Sequence, residues 1–154
     1  MIRSPLGLHV ENRLNLSVRD RIEQAALWGA QGIVLSAVGD LSPDQLSETG
    51  RRELKQVLRS ARLTLIAMHL PTRRPFDTLE GLEARLQRAD RAFTLTYALG
   101  CSHVIANVGG LPSDERDEGR THFATALAEL AGRASENQRG ARGRRPGSTP
   151  SSMS

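Results

Sequence analysis

Few side chains in this sequence have both the type and the placement to do chemistry, and they gather behind two short apolar runs. His69 closes the first, in IAMHLP, and Arg73 and Arg74 follow on the next loop. Two adjacent guanidinium groups can clamp a phosphate or carboxylate bidentately; the alternative is a solvated loop tip. A histidine at a strand end can equally be hydrogen-bonded there while the chain turns into Leu70-Pro71. Asn107 closes the second run, in VIANV, ahead of Gly109-Gly110, where its amide can meet a ligand hydroxyl or satisfy local backbone. The glycine pair can admit a phosphate near a helix start, or simply turn the chain.

Other candidates offer less. Cys101 follows a helix-ending glycine and does not open a helix, so nothing in the sequence marks it as a reactive thiol. A single cysteine also excludes an internal disulfide and argues against a cysteine zinc site, which fits a reducing cytoplasm. The acidic run Asp114, Glu115, Asp117, Glu118 lacks calcium-loop spacing and reads as a solvent-facing loop. His9, His103 and His122 share no ligand spacing and read as structural or exposed.

The elements that must position these residues repeat. Three times a helical pattern passes through a turn into an apolar run, at AALWGAQGIVLS, VLRSARLTLIAM and TYALGCSHVIAN. Gly29 and Gly100 stand where a helix ends in the left-handed region. The runs IVL, LTLIAM and VIANV lack polar alternation, the pattern of parallel strands covered on both faces. Ser17 caps a first helix whose stripe is Val18, Ile22, Ala25, Ala26 and Trp28. Ser42-Pro43 opens a turn before a second helix, Arg52 to Ser60, carrying Leu54, Val57 and Leu58. Asp77 with Glu80 gives a capping-box start to a third, with Leu79, Leu82, Leu86, Ala89, Phe93 and Tyr97 at helical spacing. A fourth runs from about Thr121 through Phe123, Leu127, Leu130 and Ala131.

With an opening strand at LGLHV the expected fold is α/β, four parallel β/α units ending near residue 134. A complete (β/α)₈ barrel needs about 250 residues, so this is about half of one. A doubly wound sheet is the other closure, but Val10-Glu11-Asn12-Arg13 replaces the glycine fingerprint of a dinucleotide site after the first strand. Residues 135–154, ENQRGARGRRPGSTPSSMS after Ser135, read as a disordered tail. Arg139, Arg142, Arg144 and Arg145 against Glu136 put +3 of the chain's net charge of +4 there. No aromatics interleave those arginines, so nucleic acid is an unlikely partner, though an interaction module using the tail is an alternative role. No apolar run reaches the roughly 18 residues of a membrane span, and the opening residues do not form a signal peptide; a soluble cytoplasmic protein is expected.

The stretch ALWGAQGIVLSAVGDLSPDQLSETGRRELKQVL, with LTLIAMHLPTRRPFDTLEGLEARLQRADRAFTLTYALGCSHVIANVGGLP, resembles the sugar phosphate isomerases/epimerases of the xylose isomerase-like TIM-barrel superfamily over about residues 6–134. The LSETGRREL and LPTRRPFD blocks are its most specific parts. The resemblance implies a divalent metal ion, a small sugar or sugar phosphate, and proton transfer next to a carbonyl at the carboxyl ends of the strands. It implies that His69 touches metal or substrate, and it puts Arg73, Arg74 and Asn107 on the substrate rim. Most metal ligands of the family lie on later strands, so none but His69 is assigned, and no catalytic residue is. Val34 stands where many relatives carry glutamate, and Asn107 ends the strand where the endonuclease IV branch has a metal-binding histidine, which weighs against a nuclease.

Four units leave open strand edges and inward apolar side chains without opposing layers. One expectation is a truncated or frame-shifted product, inactive or marginal alone, since an out-of-frame reading of a GC-rich gene gives such a tail. The other is a half barrel that pairs with a second copy through its edges.

Overall fold

The computed structural model describes residues 5–11, 15–110 and 118–143. Strands β1 (Gly7–Val10), β2 (Gly32–Ser36), β3 (Thr64–Leu70) and β4 (Val104–Ala106) alternate with helices α1 (Val18–Leu27), α2 (Glu48–Ser60), α3 (Leu82–Ala98) and α4 (Glu118–Gly143). Each strand pairs in parallel with its successor, in the order β1-β2-β3-β4. This is the expected run of β/α units. β1 and β4 are the edges.

Local chemistry explains most boundaries. Ser17 Oγ accepts from Asp20 N at 3.1 Å and opens α1 as expected. Gly29 and Gly100 adopt φ of 82° and 80° just past α1 and α3, conformations that a Cβ disfavours. α2 starts earlier than expected because Ser47, and not the Ser42-Pro43 turn, caps it, Oγ accepting from Gly50 N at 3.1 Å.

The capping box at Asp77 and Glu80 does not form. α3 begins at Leu82 behind Gly81, which has left-handed backbone and no side-chain cap. Glu80 pairs with Arg74 instead, and Asp77 N donates to Val108 O at 2.9 Å, tying the β3–α3 loop to the turn after β4. Leu79 therefore lies before the helix and is exposed, as is Trp28 of the α1 pattern at 65%.

α4 runs past the expected boundary at 134 to Gly143, while residues 144–154 lie outside the described residues. Asn137, in the segment that reads as a tail, finds partners on α3: Thr94 Oγ1 donates to its Oδ1 at 2.7 Å, and its Nδ2 donates to Asp90 Oδ1 at 3.4 Å. Just before that segment Tyr97 Oη donates to Ala134 O at 3.5 Å. One turn before Asn137, Arg133 bonds Asp90 at 2.6 Å and Glu129 at 2.8 Å, which holds its guanidinium well above the ordinary arginine range.

The core lies on the helix side of the sheet. Leu8, Val10, Ile33, Leu35 and Met68 pack with Ile22, Ala25, Leu54 and Leu58, and Leu70, Phe76, Leu86, Phe93 and Leu130 form a second cluster with α3 and α4. Alternation along a strand turns the intervening side chains to the opposite face. The expectation of cover on both faces fails there, since Ile66 is 42% and Ile105 50% exposed. Ile66 lies across Gly7 and Gly32: a Cβ at those glycines would fall 2.6 and 2.3 Å from its Cδ1. No helix among the described residues is long and apolar enough to cross a membrane.

Candidate functional site

Three polar side chains stand at the carboxyl ends of adjacent strands, on the face turned from the helices. Parallel register sets Ser36 of β2 beside His69 of β3, and His9 of β1 beside Val34 of β2. Ser36 Oγ lies 3.1 Å from His9 Nε2 and 3.2 Å from His69 Nδ1. The two imidazoles meet edge to face, with centroids 4.9 Å apart and planes at 78°. Ser36 is buried, His69 half-buried and His9 exposed. Burial holds the His69 pKa below the ordinary imidazole value, the neighbouring His9 lowers it further, and Glu11 opposes both. His69 therefore favours its neutral form, able to accept or donate a hydrogen bond to an uncharged ligand.

His9 is one of the three histidines, with His103 and His122, that sequence spacing reads as structural or exposed. It is exposed, yet it belongs to this cluster, and Ser36 was not singled out at all. Only part of the signal lies in the sequence: His9, Ser36 and His69 each fall at or next to the end of an apolar strand, but a register shift between β2 and β3 at Ile33/Val34 sets Ser36 opposite His69.

The remaining candidates are less closely joined. Arg73 is exposed on the loop after β3, and Arg74, also exposed, is paired with Glu80, which supports the loop-tip reading for Arg74. Asn107 Oδ1 accepts from Gly109 N at 3.1 Å, so its carbonyl serves local backbone. The Gly109 turn is already filled. A Cβ at Gly109, whose φ is 139°, would sit 1.9 Å from the Asp77 Oδ2 atom, and a carboxylate there opposes a bound phosphate. Cys101 is buried, its thiol donating to Ile66 O at 3.2 Å. His103 lies before β4, at the opposite end of the sheet, and His122 lies on α4. Asp114, Glu115 and Asp117 are outside the described residues.

This donor set is a poor match for a divalent ion. Among the described residues no three His, Cys, Asp or Glu side chains converge. The site offers imidazole nitrogens turned onto a hydroxyl and lacks the clustered carboxylates that a hard divalent cation needs. The residues present do not by themselves fit the ion.

Residues 22–139 match the family described as xylose isomerase-like TIM barrel. No curated protein matches the sequence. Among solved structures, the chain is similar to a xylose isomerase domain protein from Planctomyces limnophilus, with a TM-score of 0.71 and 12% identity over 86% of this chain and 51% of that one. It is also similar to a sugar phosphate isomerase/epimerase from Parabacteroides distasonis, with a TM-score of 0.53 and 18% identity over 89% of this chain and 48% of that one. The chain thus spans about half the length of each.

Proposed function

Because the chain belongs to the xylose isomerase-like TIM barrel family, we propose that its four β/α units form the substrate-binding half of a sugar or sugar phosphate isomerase/epimerase. The observation that carries this reading is the His9–Ser36–His69 cluster at the carboxyl ends of three parallel strands, the end at which such barrels do their chemistry. In this reading His69, neutral and half-buried, hydrogen-bonds a sugar oxygen, and Arg73 on the adjoining loop attracts a phosphate or other acidic end of the ligand. Asn107 is the weakest member, since its carbonyl is engaged by Gly109.

The reaction class that goes with this site is proton transfer next to a carbonyl. Since the donor set does not by itself hold a divalent ion, this reading gives the four units ligand binding and little turnover. The test is titration of the purified chain with a panel of aldose, ketose and sugar phosphates by calorimetry, with His69→Gln and Arg73→Ala variants. Saturable binding that either variant weakens about tenfold supports the reading; no binding, or binding that neither variant changes, overturns it.

A second reading is favoured by the edges of β1 and β4, unpaired among the described residues, and by exposed Ile66 and Ile105: the half barrel closes on a second copy, β1 of one copy beside β4 of the other. Light scattering decides, and a strictly monomeric chain excludes it.

A further inference from the structure

His9, Ser36 and His69 are linked through a single hydroxyl, and one hydroxyl carries one proton. Ser36 Oγ lies 3.1 Å from Nε2 of His9 and 3.2 Å from Nδ1 of His69. Ser36 is also buried, so a hydroxyl proton turned away from both rings would give up a ring acceptor without solvent to replace it. We propose that the three residues form a proton relay which locks the tautomer of one ring to that of the other and serves a ligand bearing a hydroxyl next to a carbonyl. The ligand class rests on the sugar reading above; the lock itself rests on the geometry alone.

Two arrangements satisfy both hydrogen bonds. In one, Ser36 donates to His69 Nδ1 and accepts from His9 Nε2–H, leaving His69 with its proton on Nε2 and His9 with a lone pair on Nδ1. In the other, Ser36 donates to His9 Nε2 and accepts from His69 Nδ1–H, which leaves a lone pair on His69 Nε2 and a proton on His9 Nδ1. Both rings are thus protonated on Nε2, or both on Nδ1. Each arrangement presents one donor and one acceptor on the two outer nitrogens, the complement of a hydroxyl beside a carbonyl.

Exchange between the arrangements moves a proton without creating a charge. Starting from the second, His69 Nε2 takes a proton from the hydroxyl-bearing carbon next to the ligand carbonyl while His69 Nδ1–H passes its own to Ser36 Oγ. The Ser36 hydroxyl proton goes to His9 Nε2, and His9 Nδ1–H gives its proton to the carbonyl oxygen as the C–H electron pair forms a C=C bond, so the ligand becomes a neutral enediol. Three N–H or O–H bonds break in the protein and three form, so the cluster is ready to run in reverse. The titratable groups acting on His69 are His9 of β1 and Glu11 just beyond it. The edge-to-face contact at 4.9 Å keeps both rings over the same hydroxyl.

The experiment is nitrogen-15 NMR of the imidazole rings in the ligand-free full chain at about pH 8, above the ordinary imidazole range of about 6.5. The lock requires the same nitrogen to be protonated in both rings, or a matched exchange of both. One ring protonated on Nε2 and the other on Nδ1 overturns it, because a single hydroxyl proton cannot serve two lone pairs, nor can it be used when both rings donate. The unaltered protein decides this, so no variant needs to fold. In Ser36→Ala the correlation is lost and in Ser36→Thr, which keeps the hydroxyl, it returns; a correlation that survives in Ser36→Ala also overturns the lock. Matched tautomers in a chain that binds no sugar would sink the functional reading and leave the relay standing.

Discussion

At the residue scale, acid should separate His69 from an ordinary surface histidine. Its folded pKa is depressed below the unfolded value of about 6.5 by burial and by His9, with Glu11 opposing. A base with a depressed pKa binds fewer protons folded than unfolded, so stability is full above about pH 6.5 and falls as the pH drops through the unfolded value, levelling off below the folded one. Urea midpoints at pH 8, 6.5 and 5 should therefore decline, and the decline should shrink in His69→Gln. An identical pH dependence in that variant would contradict the assignment. Gly109 offers a second test. Its φ of 139° and the Asp77 carboxylate 1.9 Å from a built Cβ mean that Gly109→Ala adds strain and overlap together, about 1–3 kcal/mol of lost stability by denaturant titration. Adding Asp77→Ala should recover the overlap and not the strain. His69 stood out in the sequence because a histidine closing an apolar run is a local fact. His9 did not, since its tie to His69 exists only through the register of three strands.

At the element scale, the helices that sequence periodicity fixed well are those whose caps are local, such as α1 behind Ser17. α3 was read too early because Asp77 and Glu80 satisfy a capping pattern in sequence, while tertiary partners Val108 and Arg74 claim them in space. α4 was read too short for a related reason: a polar composition describes a tail only if nothing faces it, and Asp90 and Thr94 of α3 do. Its helical end should then depend on α3. Arg133→Met removes charged hydrogen bonds to Asp90 and Glu129 from a side chain 20% exposed. The expected cost is about 1 kcal/mol, read as a fall in melting temperature of about 2–4 °C for a chain of this size. Asn137→Ala should free the 135–143 segment, measured as faster amide exchange there with the sheet unchanged. Equal protection in both proteins would show that α4 stands without its α3 contacts.

For the whole molecule, the exposed inner face is the main liability. Ile66 and Ile105 together present apolar surface where a complete barrel has opposing side chains. Replacing both with threonine, which keeps strand propensity, should reduce self-association seen by light scattering at equal concentration. Unchanged association would place the contact at the strand edges instead. The strand order has a consequence of another kind. Every strand in β1-β2-β3-β4 lies beside the one made just before it, so each new unit has its template waiting when it leaves the ribosome. Nothing described here must wait for a distant segment. Assembly can run along the chain in the direction of synthesis, and only the joining of β4 to a further strand would depend on an encounter.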